Sequence, residues 1–241
     1  MSNSKQWQHA QQAEGEYWSG LTAQEEGIRH VLQENREVAA RISAWLPVLP
    51  NATLEIGVGG LGIGALGFLK QTSLRVGMDP LPPPPLICGD SLRAVVLSLR
   101  KSVHLVTAQG ERLPFPDGSF GLVLCSNVLD HVCNPQSVVA EAYRVLQPGG
   151  YFYLAVDVFS FAGLVKWYLW TRWRRKKEIL VRAHPYRFRE PELLYYLCSA
   201  GFRLINKNEV SLAKRLCGRS WDCLTLAQKP ADLNFGGRER H

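Results

Sequence analysis

The chain has six cysteines, at 88, 125, 133, 198, 217 and 223, but no C-x-x-C pair among them. The N-terminal stretch MSNSKQWQHAQQAEGEYW lacks the apolar core of a secretory signal. Together these absences favour reduced thiols and a cytoplasmic setting over a disulfide-stapled secreted scaffold. No uncharged apolar run is long enough to span a bilayer, and no internal repeat is visible. No metal-ligand spacing stands out, so no metal is expected.

What is present fits a globular domain. Across 241 residues, 46% apolar content and seven tryptophans argue against disorder and allow one domain with a sizeable core. The net charge of +7 is concentrated rather than diffuse. Residues 151–190 carry nine Lys/Arg against three acids, Asp157, Glu178 and Glu190, which accounts for nearly all of it. A local basic patch points to a particular partner more than a diffuse charge would.

Hydrophobic periodicity places the elements. Thr22-Ala23-Gln24-Glu25 has the form of a capping box, followed at helical spacing by Ile28, Val31, Leu32, Val38, Ala39, Ile42 and Leu46. This predicts one long helix ending near Pro47. Strands are expected at 53–58, 74–78, 103–108, 120–125 and 151–156. Helices are expected at 65–70, 90–101 and 135–146, the last capped by Asn134 and stopped by Pro148-Gly149-Gly150. Beyond an aromatic and basic stretch at 158–189, a helix at 191–200 and strands near 202–209 and 221–227 complete the pattern. The alternation implies an α/β fold: a Rossmann-like, doubly wound, mostly parallel sheet of seven strands in a single domain. Residues 1–50 read as an N-terminal helical cover and 51–241 as the α/β domain, interrupted by the stretch 158–189 after strand five.

The first strand runs into LEIGVGGLGIG, residues 54–64, where Gly57, Gly59 and Gly62 satisfy G-x-G-x-x-G. A dinucleotide would set its pyrophosphate on the following helix N-terminus. Glu55, two residues before Gly57, would repel that group. S-adenosylmethionine carries an ammonium and a sulfonium and no phosphate, so the same carboxylate suits it. Gly57 and Gly59 let the backbone approach such a ligand closely. A simpler role for Glu55 is to cap the helix or pair with a cation. Asp79 ends the second strand, 22 residues after Gly57, where it can accept from both ribose hydroxyls. It is also a turn former before Pro80.

The segments AQGERLPFPDGSF (108–120), NVLDHV (127–132) and YRVLQPGG (143–150) follow in order. With the glycine turn they resemble class I S-adenosylmethionine-dependent methyltransferases, from about Thr53 to Ala227 and most strongly from Glu111 to Gly150. The likeness is greatest to the small-molecule group that includes the ubiquinone/menaquinone-biosynthesis C-methyltransferases. The resemblance implies that Glu55, Gly57 and Gly59 hold the methionine tail and Asp79 the ribose. It implies that Gln109 and Gly110 meet the adenine, and that Asn127 touches the tail or the transferring carbon. Three departures stand out: Gln109-Gly110 replaces Asp-Ala, the glycine turn reads G-G-L-G, and Gly121 stands where Ser-Phe-Asp is common. Gln109 can still accept through its amide oxygen.

The implied activity is methyl transfer from S-adenosylmethionine to a small, lipophilic acceptor at an oxygen, nitrogen or carbon atom. Alternatives are a non-catalytic subunit of the same fold, an RNA methyltransferase and a nicotinamide-dependent oxidoreductase. The resemblance also implies that 51–241 is the cofactor-binding domain and that 158–189 forms a lid over the substrate. Where a base is needed, His184 in that lid is the first candidate and His131 after strand four the second, each weighed against a structural histidine. Trp167, Trp170 and Trp173 beside Arg172, Arg174, Arg175, Lys176 and Lys177 fit first a lid helix whose aromatics pack over an apolar pocket and whose cations are solvated, and second a contact with an anionic membrane surface. Nucleic acid ranks below it, since no known RNA-binding module is evident.

Overall fold

The computed structural model describes residues 3–173, 186–212, 215 and 220–231, with backbone alone at 3–6 and 170–173. Seven strands form one sheet in the order β3-β2-β1-β4-β5-β7-β6. They are β1 (Ala52–Ile56), β2 (Leu74–Asp79), β3 (His104–Thr107), β4 (Phe120–Ser126), β5 (Leu146–Phe159), β6 (Arg203–Lys207) and β7 (Ser220–Gln228). The first five run parallel, and β7 is antiparallel to both β5 and β6. The chain winds outward from β1 to β2 and β3, then returns to β4 on the other side. The strand order therefore reverses between β1 and β4, and a doubly wound sheet opens a crevice there at its carboxyl edge.

Both faces of the sheet are buried, so its central strands are almost continuously apolar. β4 shows this in FGLVLCS, whose first six residues are all buried. Its odd-numbered Val123 and Cys125 meet Val138, Val139 and Ala142 of helix α4 (Pro135–Val145). Its even-numbered Leu122 and Leu124 meet Ala39, Ile42 and Leu46 of helix α2 (Glu25–Trp45). α2 therefore serves as a layer of the core as well as a cover. Its first half packs Ile28, Val31 and Leu32 against Leu92 and Val96 of helix α3 (Asp90–Arg100).

The N-terminus differs from the capping-box expectation. There are two helices, α1 (Asn3–Thr22) and α2, with a break at Ala23-Gln24. Thr22 ends α1 by donating its hydroxyl to the Trp18 carbonyl at 2.9 Å. Glu25 accepts the Gly89 N–H at 2.7 Å, and Gln24 takes the N-cap position. The box pattern is local, and a tertiary partner for Glu25 overrides it.

Elsewhere the predicted elements form with shifts of a few residues. The helix expected at 65–70 is a single 3-10 turn, Ala65–Phe68. Asn134 caps α4 through its side chain, which accepts the Ser137 N–H at 3.2 Å. β5 begins at Leu146, so Pro148-Gly149-Gly150 lies inside an irregular strand start rather than before it. After β5 come helix α5 (Phe161–Trp173) and helix α6 (Glu190–Ser199).

Gly121 has a packing reason. A Cβ placed there would lie 2.4 Å from the Pro50 Cβ and 2.6 Å from the Gln147 amide nitrogen. Gly121→Ala should therefore destabilise the protein by about 1–3 kcal/mol through overpacking. Urea unfolding checks this: an unchanged midpoint would mean the β1 approach yields freely.

Candidate functional site

A cavity of about 630 Å³ opens at the carboxyl edge of β1, β2 and β4. Its floor is the glycine turn. Gly57 takes φ 78° and donates its N–H to the Met78 carbonyl at 2.7 Å. A Cβ there would fall 2.2 Å from the Val128 Cγ2, so position 57 needs glycine for both conformation and space. The turn's second glycine pair is covered by α1. Cβ atoms at Gly59 and Gly60 would meet Trp18 at 2.6 and 2.8 Å. The unusual G-G sequence is thus the seat of the Trp18 side chain.

Two carboxylates shape this turn from below. Asp79 accepts the Gly59 N–H at 3.0 Å through Oδ2 and the Leu81 N–H at 2.9 Å through Oδ1. Each oxygen keeps a lone pair, and Asp79 lines the cavity. Burial pushes its pKa up, more than these bonds lower it. Glu55 is 3% exposed and accepts the Ala65 and Leu66 N–H groups at 3.1 and 3.0 Å. The capping role weighed for it from sequence is therefore occupied, while Glu55 also reaches the cavity wall. Gly64 exists to admit it: a Cβ there would lie 2.2 Å from its Oε2. Glu55 makes no ion pair among the described residues, and burial raises its pKa to about 7.

The other sequence candidates divide cleanly. Gln109, Gly110, Asn127 and His131 all line the same cavity as Glu55, Gly57, Gly59 and Asp79. Asn127 has φ 54°, alone in the left-handed region among the described non-glycine residues, and its N–H is held by the Ala155 carbonyl at 2.8 Å. Such a conformation persists because the surrounding structure imposes it. His131 places Nδ1 3.1 Å from the Glu14 Oε1 and Nε2 3.6 Å from the Asp130 Oδ1. His184 lies outside the described residues, as do Arg174, Arg175, Lys176 and Lys177; of Arg172 only the backbone is described.

The segments on which the resemblance rests are physically joined. Arg144 donates to the Leu113 and Phe115 carbonyls at 3.0 and 2.8 Å, and pairs with Asp117 and Glu141 at 2.7 Å. Glu141 in turn accepts the Leu113 N–H at 2.7 Å. Glu111 accepts the Cys133 N–H at 2.6 Å, tying the Gln109-Gly110 loop to the one after β4. These polar residues position the loops around the cavity.

Sequence reasoning missed the contribution of α1 and α2. Glu14, Tyr17 and Trp18 of α1, with Glu34, Val38 and Arg41 of α2, form one wall of the cavity. Their only signal was the weak aromatic spacing in a glutamine-rich stretch, which does not reveal what a helix packs upon.

Comparison with known proteins agrees with this geometry. Residues 54–154 match the family described as methyltransferase domain. An uncharacterized methyltransferase of Mycolicibacterium gilvum is 35% identical over 106 residues, covering 44% of this chain and 39% of that protein. The chain spans under half the length of the curated relatives it matches, 46% and 39% for two of them. A putative methyltransferase from Bacillus halodurans superposes with TM-score 0.56 at 21% identity, covering 81% of this chain and 98% of that one. So does a Burkholderia thailandensis 1,6-didemethyltoxoflavin-N1-methyltransferase bound to 1,6-didemethyltoxoflavin and S-adenosylhomocysteine, with TM-score 0.54 at 19% identity, covering 81% and 78%. Residues 54–154 are thus similar to a methyltransferase domain, and the sheet has the fold of S-adenosylmethionine-dependent methyltransferases.

The raised pKa of Glu55 makes a pH prediction. An acid whose folded pKa lies above its unfolded value favours folding below the unfolded value, near 4.5, and loses that contribution as pH rises to about 7. The wild type should lose stability relative to Glu55→Gln across this window, by about 3 kcal/mol at most. Urea unfolding of both proteins at pH 4.5 and pH 8 measures it; parallel profiles would show that Glu55 stays charged. Any constant offset reflects the lost second acceptor and does not enter the comparison.

Proposed function

We propose that the protein transfers a methyl group from S-adenosylmethionine to a small acceptor with an apolar body, in the manner of the small-molecule group resembling the ubiquinone/menaquinone methyltransferases. The observation carrying this reading is the convergence of Asp79, Gln109 and Asn127 with a glycine turn on one cavity. The donor set fits the cofactor. Glu55 is a buried carboxylate without a counter-cation among the described residues, which suits an ammonium or sulfonium and repels a pyrophosphate. Asp79 retains one lone pair on each oxygen for ribose hydroxyls, and Gln109 offers an amide oxygen for an amino group. When bound, S-adenosylmethionine supplies a methyl carbon on positively charged sulfur. The protein's share is then to hold the acceptor in line and exclude water. His131, oriented by Glu14, is the cavity residue suited to hold a proton where the acceptor must lose one.

S-adenosylhomocysteine should raise the melting temperature by mass action, while NADP should not. His131→Ala should then lower turnover at least tenfold with little change in S-adenosylhomocysteine affinity. Stabilisation by NADP alone would overturn the cofactor assignment. Unchanged turnover would limit His131 to bracing the loop.

A separate surface supports peripheral membrane contact. No helix among the described residues is long and apolar enough to cross a membrane. Yet Phe161, Val165, Tyr168 and Leu169 of α5 are all exposed, at i, i+4, i+7 and i+8 along one stripe. Lys166 is exposed beside them, Arg187 stacks on Trp167 at 3.5 Å, and α5 contains no acid. The sequence beyond adds the cluster 172–177. We propose that this stripe rests on an anionic membrane, apolar side inward and cations at the headgroups. Phosphatidylglycerol vesicles at low salt should bind the wild type, and Phe161→Ser with Leu169→Ser should weaken binding at least tenfold. A wild type that ignores these vesicles would refute the contact.

A further inference from the structure

We infer that the acceptor enters the cavity as an organic cation, an amine with an apolar body, recognised by the wall that α1 and α2 build. This rests on the methyltransferase reading above and specifies its substrate class.

The chain carries 28 Lys/Arg against 21 Asp/Glu, but the cavity inverts that balance. Arg41 is the one Lys or Arg among the described residues that line it, and its Nη1 lies 3.5 Å from the Tyr153 hydroxyl. Three lining carboxylates already serve the loops: Glu55 and Asp79 in the turn, and Glu111 at Cys133. Four remain, Glu14, Glu34, Glu37 and Asp222, on α1, α2 and β7. Glu14, Glu34 and Glu37 each have a neighbour at Oε1, respectively His131, His30 and Gln33 at 3.1, 3.3 and 2.8 Å. Their Oε2 atoms are left for a ligand.

Aromatic rings share this wall. Trp7, Tyr17 and Trp18 line it, the last two edge-to-face with centroids 5.4 Å apart. Glu34 and Glu14 lie near enough to Tyr17 to add to the rise that burial imposes on its hydroxyl pKa. Ring faces and carboxylates around one volume attract an ammonium through the ring quadrupole and full charges together. An anionic acceptor would meet several like charges. A neutral one would strip water from those carboxylates without replacing it.

A second, independent feature asks for a donor. Gln11 lines the cavity, and its buried Oε1 accepts no hydrogen bond among the described residues. An ammonium brings three N–H donors. His131, with its Nδ1 on Glu14, stands in the same cavity to take one proton, which leaves the amine neutral and nucleophilic.

Calorimetry on the full chain, with and without saturating S-adenosylhomocysteine, separates the possibilities. The probes are 2-phenylethylamine, 2-phenylethanol and 3-phenylpropanoate at pH 7.5 and low salt. The amine should bind at least tenfold tighter than the alcohol, and the carboxylate weakest. Glu34→Gln with Glu37→Gln should cut amine affinity at least fivefold and leave the alcohol unchanged. Glu26→Gln, on the same helix outside the cavity, should change neither. Reversal to lysine at 34 and 37 should move the preference to the carboxylate. Both glutamates are exposed, so folding is retained, and S-adenosylhomocysteine binding by each variant verifies it. Equal affinities for amine and alcohol, no amine binding at millimolar concentration, or indifference to the double substitution would each overturn the inference. If S-adenosylhomocysteine binds and the amine is not preferred, only the substrate class falls. If S-adenosylhomocysteine does not bind, the methyltransferase reading falls with it.

Discussion

A carboxylate buried at the end of a central strand is the constraint around which the site is arranged. Glu55 sits between β1 and the first crossover, where there is little water to solvate it. Its two oxygens take the first free N–H groups of the 3-10 turn, Ala65 and Leu66. Those bonds replace solvation and fix where the chain re-enters the core. Gly64 must be glycine for the carboxylate to fit, and the turn between Gly57 and Gly64 follows a path set from both ends. Asp79 repeats the device one strand over, holding the Gly59 N–H and its own Leu81 turn. Two acids at the ends of neighbouring strands thus form the scaffold of the turn.

The loops on the other side of the crevice are held by a different kind of contact. Arg144 uses its planar fork to collect two carbonyls and two carboxylates from segments about thirty residues apart. Glu111 links the loop after β3 to the one after β4 through backbone N–H groups. Because Arg144 is partly exposed, its ion pairs add little to stability by themselves. Their value is positional: they make three short sequence segments one rigid rim, with Gln109, Gly110, Asn127 and His131 facing the cavity between them.

The third side belongs to the N-terminal helices. α2 is committed to the sheet by Ala39, Ile42 and Leu46, and α1 is anchored through Trp18 on Gly59-Gly60 and Glu14 on His131. The wall these helices present is acidic and aromatic, against the sign of the chain as a whole. Net charge computed over a sequence averages over surfaces that never meet. The basic excess lies at 151–190 in the sequence, while the cavity concentrates carboxylates from six separate elements and loops.

The order of strands and helices was legible in the sequence, because β1, β2, β4 and β5 are apolar runs bounded by glycine and proline turns. So were the acids at the ends of β1 and β2, the glycine turn and the Asn134 cap, since each depends on residues close in sequence. The long-range decisions were not. Thr22 and Glu25 match a capping box, yet Thr22 bonds back into its own helix and Glu25 takes a partner, Gly89, that only the folded chain brings near. The G-G pair and Gly121 looked like departures from a family pattern until Trp18 and Pro50 were seen against them. The placement of α1 over the glycine turn could not be read from a polar stretch with scattered aromatics. Local sequence determined which elements form and which chemical groups end each strand. Tertiary structure alone decided which of those groups lose water and which charges face one another, because solvation and Coulomb energy depend on distance in space rather than along the chain.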